Sequence, residues 1–309
     1  GESAGGISLS MLCASPLAKG LFRGAISQSG GSFGPVEERS YPGENMTSLE
    51  IAERDGVKFM EGVGAQSLAE LRAMPASKLG RLFAMAGGAW PIVDGYVIPD
   101  DQYRLYEAGK FNDVDILVGY NSDEGASFSF GGNDAAAHKA SVEERFGTFA
   151  ERLLEVYPVD GPVVTKTGRD LSRDAAFGWH TWSWARLQSE KGNSKVYMYY
   201  FDQHPEYPED SPNYGKGSPH GQDVDFVFKA LKKEEVDTDF ELSDIMATYW
   251  TNFAKYGDPN GEGLPQWPEF TKDSHVTMVL KGDSPYPAPV PDEDALWVLN
   301  SYFESRRNQ

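Results

Sequence analysis

Three short runs, each almost continuously apolar or aromatic, constrain this chain more than any other feature. They are Gly24-Ala25-Ile26-Ser27-Gln28-Ser29, Asp115-Ile116-Leu117-Val118-Gly119-Tyr120 and Lys195-Val196-Tyr197-Met198-Tyr199-Tyr200-Phe201. A strand wetted on one side alternates apolar with polar residues. A strand covered on both faces does not, and such strands belong to parallel sheets with helices packed on each side. A later run, Val276-Thr277-Met278-Val279-Leu280, is expected to be a shorter edge strand. Helical segments lie between the runs. Ser67-Leu68-Ala69-Glu70 and Ser141-Val142-Glu143-Glu144 fit the S-x-x-E capping box, and the second is expected to open an amphipathic run through Phe146, Phe149, Leu153, Leu154 and Val156. Ser243 is expected to cap a helix over Ile245 to Tyr256, which Gly257 and Pro259 then stop. Strands alternating with long helical segments predict a doubly wound, mostly parallel α/β sheet.

Composition narrows the function classes. With 309 residues, 40% hydrophobic and 13% aromatic, the chain can bury the core of one large α/β domain or two smaller ones. A net charge of −19 repels phosphate backbones and argues against a nucleic-acid partner. One cysteine, Cys13, forms no intrachain disulfide and rules out a Cys₄ or CxxC metal site, and neither metal nor organic cofactor is expected. No apolar stretch approaches the roughly 18 residues of a membrane-spanning helix. The chain opens Gly1-Glu2-Ser3, without an initiator Met and inside a motif. The expectation is therefore a fragment, with any signal sequence and earlier strands preceding residue 1.

That motif is Gly1-Glu2-Ser3-Ala4-Gly5, a match to G-x-S-x-G. In such an elbow a serine sits on a strained strand-to-helix turn. Glycines two positions either side let backbone pass close, and the next residue's amide points at a developing oxyanion. A second match, Gly30-Gly31-Ser32-Phe33-Gly34, competes with it. The elbow needs a helix directly after the serine. Ala4 to Ala14 supplies one, with Ile7, Leu9, Met11 and Leu12 before Pro16, whereas Ser32 is followed by Gly34, Pro35 and a polar run. Ser3 is the candidate nucleophile, and Ser32 reads as part of a Gly-rich loop.

A base is expected in a loop after a late strand, in the order serine, acid, histidine. His220, in Gly217-Ser218-Pro219-His220-Gly221, meets that description, and its glycine neighbours leave room for the ring. His204 follows the same strand more closely and is the runner-up. His180 lies among Trp179, Trp182 and Trp184 and reads as a packed helix residue. His138 and His275 read as solvated surface residues. The acid should end a strand, and Gly119-Tyr120-Asn121-Ser122-Asp123-Glu124-Gly125 does so. Spacing does not choose between Asp123 and Glu124.

Six blocks, in order, resemble type-B carboxylesterases, the family that includes the cholinesterases. They are Gly1 to Gly6, Gly20 to Gly30, Pro91-Ile92-Val93-Asp94-Gly95, Gly119 to Gly125, His220 to Phe228, and Trp250-Thr251-Asn252-Phe253-Ala254-Lys255-Tyr256-Gly257-Asp258-Pro259-Asn260. The resemblance implies an α/β-hydrolase fold, with 1–309 as the C-terminal part of one such domain and helical insertions around 36–85 and 136–192. It implies a serine carboxylesterase: a small-molecule carboxylic ester is cleaved through an acyl-serine intermediate. It selects Glu124 as the acid, His220 as the base and Ala4 as the amide of the oxyanion hole. It gives Glu2 and Ser29 supporting roles beside the site. It suggests a secreted or periplasmic protein.

Two departures stand out. The family's Gly-Gly oxyanion loop belongs before residue 1. The acyl-pocket segment, where cholinesterases carry bulky aromatics, reads Met85-Ala86-Gly87-Gly88-Ala89-Trp90, with Met85, Gly87 and Trp90 as candidate substrate contacts. The lone cysteine resembles bacterial rather than disulfide-bonded animal members. Rival readings are a non-catalytic adhesion protein of the same fold and an amide or thioester hydrolase on the same site.

Overall fold

The computed structural model describes residues 1–37, 46–85, 90–128, 134–211, 213–232 and 236–308, with the side chains of 81–85 excepted. Seven strands occur among them: β1 Gly24–Gln28, β2 Thr47–Ser48, β3 Ile92–Val93, β4 Asp115–Asn121, β5 Val196–Phe201, β6 Val276–Leu280 and β7 Tyr286–Pro289. The main sheet runs β1-β4-β5-β6-β7, and all its neighbours are parallel except the antiparallel pair β6–β7. β2 and β3 form a separate two-residue parallel pair. All three apolar runs form strands. Val276–Leu280 is interior rather than the expected edge, because β7 covers it. That outer strand carries Pro287 and Pro289, which donate nothing to a further ladder.

The period of two explains why the runs look continuous. Ile116, Val118 and Tyr120 of β4, with Val196, Met198 and Tyr200 of β5, point into one core. Leu117, Tyr197, Tyr199 and Phe201 point into a second. Helices Trp179–Lys191 and Glu293–Arg307 contribute to the first core and helix Asp237–Tyr256 to the second. Both faces are thus apolar, as a doubly wound sheet requires.

Several helix boundaries differ from expectation. Ser67 caps Leu68–Ala73 as expected, its side chain accepting from Glu70 N–H at 3.2 Å. Ser141 lies mid-helix instead, since Ala135–Phe146 starts at Asp134, whose carboxylate accepts from Ala137 N–H at 2.8 Å. The run then breaks at Gly147 before resuming as Ala150–Val156. Ser243 is no cap either. Its helix begins at Asp237, and its hydroxyl donates to Phe226 O at 2.6 Å inside the core. The helix ends where expected, with Gly257 in the left-handed region at φ 71°.

Candidate active site

The C-terminal ends of the parallel strands gather the candidate residues, the end of such a sheet where ligands bind. Gly1 and Glu2 pair with the outer edge of β1: Gln28 N–H donates to Gly1 O at 2.9 Å, and Ser3 N–H donates to Gln28 O at 2.9 Å. Helix Ala4–Ala14 begins at the next residue. Ser3 is therefore the whole joint between strand and helix, and it sits at φ 53°, ψ −122°. A non-glycine residue there is strained, and strain of this kind is held only by firm surroundings. Those surroundings are visible in the glycines. A Cβ on Gly1 would lie 2.6 Å from Gly5 C, and one on Gly6 would lie 2.6 Å from Ser27 Oγ. A Cβ on Gly5 would meet nothing within 4 Å. The close approach on the helix side therefore falls at Gly6, one residue beyond the motif. Ala4 opens the helix, so its N–H has no intrahelical acceptor, and among the described residues it donates to no other backbone group.

Glu124 stands in the turn after β4, fully buried. Its Oε1 accepts from Ser29 Oγ at 2.5 Å and from Asn121 N–H at 2.8 Å. Its Oε2 accepts from His220 Nδ1–H at 2.5 Å. Ser29 directly follows β1 and has φ 50°, and that turn of the chain brings its hydroxyl to this carboxylate. Asp123, one residue earlier, is used elsewhere. It receives Arg169 Nη2 at 2.7 Å, Arg169 Nε at 3.2 Å and Gly217 N–H at 3.0 Å. The choice left open by spacing is thereby made: Glu124 meets the histidine, and Asp123 pins the loop that carries it.

That loop is pinned again from beneath. Asp223 accepts from Gln28 Nε2 at 2.8 Å, Tyr199 OH at 2.8 Å and Asn121 Nδ2 at 3.2 Å, while Asn121 Nδ2 also donates to Pro219 O at 2.8 Å. His220 therefore enters the site with its backbone tied to β1, β4 and β5. Two aromatic rings bracket it. Phe177 stacks on it with centroids 4.7 Å apart and 19° between planes, and Phe128 meets it edge-on at 4.9 Å. Neither ring is marked by a motif. Phe177 lies 43 residues before His220 in the chain, and only folding brings the two together.

The remaining ring nitrogen, Nε2, lies 3.2 Å from Glu2 Oε1. No hydrogen bond joins Ser3 Oγ to the ring among the described residues. Two carboxylates thus face the two nitrogens, the arrangement of an imidazolium. Burial alone would depress the His220 pKa. The Glu124 hydrogen bond and charge, then Glu2 and Asp223, outweigh it and raise the value above 6.5. Glu2 is itself raised above its ordinary 4.5, first by burial, with the His220 charge opposing.

The other candidates fall outside this cluster. Ser32 is fully buried in the loop after β1. His204 faces Asp202 and Pro205 O. His180 is buried, accepts from Phe33 N–H at Nδ1 (3.0 Å), and is held neutral by burial, which lowers its pKa to about 3. His138 is fully buried, contrary to its reading as a surface residue, and His275 pairs with Glu293. Both lie on amphipathic or turn segments whose polar neighbours disguise them. Trp90 packs near Ile7 and Met11 of the helix that follows Ser3. Gly87 and the Met85 side chain lie outside the described residues. Trp179 and Trp182 are core residues. Among the described residues no group of three His, Cys, Asp or Glu is placed to hold a metal ion, and no helix is long and apolar enough to cross a membrane.

The sequence model of the carboxylesterase family matches residues 1–286. This chain belongs to the carboxylesterase family. It is 33% identical to carboxylesterase 5A of Felis catus over 295 residues, covering 88% of this chain and 53% of the relative. It is 28% identical to para-nitrobenzyl esterase of Bacillus subtilis (strain 168) over 299 residues, covering 92% and 58%. The chain thus spans about half the length of the curated relatives it matches. A solved PNB esterase superposes with a TM-score of 0.76 at 27% identity, covering 97% of this chain and 62% of that one. The fold of this carboxylesterase-family chain is accordingly the α/β-hydrolase fold.

Proposed function

We propose that this chain carries the acyl-transfer site of a serine carboxylesterase, with Ser3 as nucleophile, His220 as base and Glu124 as the acid that orients it. The observation that carries the reading is the buried Glu124 carboxylate. It is bonded to His220 Nδ1 at 2.5 Å, with the next ring nitrogen directed at the residue beside a serine held at φ 53°. With Nδ1–H held by Glu124, deprotonation leaves the lone pair on Nε2. The reaction requires it to turn from Glu2 to the adjacent Ser3, in keeping with hydrogen bonds that form only when substrate binds.

His220 Nε2 takes the Ser3 proton as Oγ bonds to the ester carbonyl carbon. The tetrahedral oxyanion is met by Ala4 N–H. Collapse breaks the bond to the alkoxy group, which leaves as the alcohol with the proton from His220. Water, deprotonated by the same ring, then releases the acid. Ser29 and Asn121 keep the Glu124 carboxylate satisfied, so it stabilises the imidazolium in each half. Glu2 adds a second negative charge near the cation.

Treating the protein as encoded in full with a fluorophosphonate should place the adduct on Ser3, as read by peptide mass spectrometry. Ser3→Ala should remain unlabelled. A label on Ser32, or none on Ser3, overturns the assignment.

A further inference from the structure

We infer that Phe177 is a positioning residue for His220, and that the π turn Asp174–Gly178 exists to hold its ring flat against the imidazole. The inference rests on the reading of His220 as the base. The contacts of Glu124 at Nδ1 and Glu2 at Nε2 hold the ring by its two nitrogens but leave it free to tilt about the line between them. The plane is set by Phe177, 5% exposed, whose face covers the imidazole at 4.7 Å and 19°. Phe128 closes the edge at 4.9 Å and 87°, and itself meets Phe177 at 5.3 Å.

The support beneath Phe177 is more elaborate than packing needs. The π turn interrupts what would otherwise be one helix between Lys166–Arg173 and Trp179–Lys191. Such turns widen the helix by a residue and gather at functional sites. Here the turn is held by a fully buried Arg173–Asp174 pair, with Nε and Nη2 each 2.8 Å from the carboxylate. Tyr157 OH donates to the same carboxylate at 2.8 Å. Arg173 also reaches Tyr200 OH, Asp170 and Asp292. Gly178 closes the turn, because a Cβ there would lie 2.2 Å from Asp174 Oδ1. A buried ion pair adds little net stability, and here it ties the turn to Tyr157, Tyr200, Asp170 and Asp292.

An aromatic face also favours a cation beside it. The charged groups facing His220 are Glu124 from the turn after β4, Glu2 from the elbow and Asp223 from helix Gln222–Val227. The charges of the π turn, Arg173 and Asp174, are occupied with each other. Phe177 therefore acts on the ring through its face, by holding the ring's plane and by steadying the imidazolium once formed.

The test compares Phe177→Leu and Phe177→Met, which keep volume and lose the ring, with Phe177→Tyr, which keeps the ring, all in the protein as encoded in full. The ring-less variants should lower kcat roughly three- to tenfold with KM within about twofold. They should also move the acid limb of the rate profile to lower pH. In long-range ¹H–¹⁵N spectra without substrate, the His220 ring signals should lose their ring-current displacement, and Phe177→Tyr should restore signals and rate. The spectra need no turnover, so they read the ring's placement even where the esterase reading fails. Unchanged His220 signals and kcat in a folded ring-less variant overturn the inference. So does a loss of rate that Phe177→Tyr fails to restore while the melting temperature falls equally in all variants.

Discussion

Helix Trp179–Lys191 and the helices Leu49–Gly62 and Leu68–Ala73 belong to the same chain but live in opposite environments. The first buries every residue from Trp179 to Gln188, polar ones included. It can do so because Thr181 donates to Gly30 O, Arg186 to Tyr103 OH and Gln188 to Val114 O. The other two bury none of their residues. Leu68, Val57 and Leu49 are largely exposed there. The amphipathic pattern of the outer helices says that a face can be buried and not what covers it. The site hangs from the first kind of structure. The π turn that carries Phe177 leads directly into the buried helix, and the Glu124 turn follows a strand buried on both faces.

The sharpest way to test that contrast lies within the anchored region, between adjacent carboxylates. Glu124→Gln should lower kcat by about 10⁴ while the fold survives, because a neutral amide stabilises neither the required tautomer nor the cation. Asp123→Asn should do the reverse. It leaves Arg169 short of its partner at 2.7 Å and releases Gly217, costing about 3 kcal/mol of stability by denaturant melt with kcat far less affected. Equal effects on rate from both would break the division of labour read from the geometry.

The contrast between helices predicts a gap in stability. Leu187→Ala, at a site 1% exposed, should cost about 2–5 kcal/mol. Val57→Lys, at a site 49% exposed, should change stability by no more than about 0.5 kcal/mol. A large loss at Val57 would show that the outer helices have a covering partner in the protein as encoded in full.

The smallest expected effect is on pH. A base must be neutral, so kcat/KM should fall as pH drops through the His220 value, which lies above 6.5. Glu2→Gln removes one of the charges that raise it, so the acid limb should move to lower pH, and a limb that stays in place would sever Glu2 from the ring. The same shift bears on folding. A histidine raised in the folded state adds stability that is fully present below 6.5 and is lost as pH rises through the folded value.

Much of this was legible in the chain. The three apolar runs, the serine before a helix, the strand-ending acidic turn and the glycine-flanked histidine are local patterns, and local patterns survive in sequence. The role of Val276–Leu280 as an interior strand was not, because an edge is defined by its neighbour, and β7, with Pro287 and Pro289, does not read as a strand. Ser141 and Ser243 misled because a serine suits a helix interior as well as a cap when its hydroxyl finds an acceptor, as Ser243 does at Phe226 O.

What the sequence determined by itself is the sheet's buried character and the short list of polar residues that end its strands, because periodicity and turn chemistry act over a few neighbours. Spacing left Asp123 and Glu124 open; the resemblance pointed to Glu124, and tertiary structure supplies the physical reason, as well as which glycine the elbow needs and which ring covers the imidazole. Asp123 and Glu124 are chemically alike and adjacent. They part only because Arg169, 45 residues or more downstream, folds back to claim one, while Ser29 and Asn121 from two strand ends converge on the other.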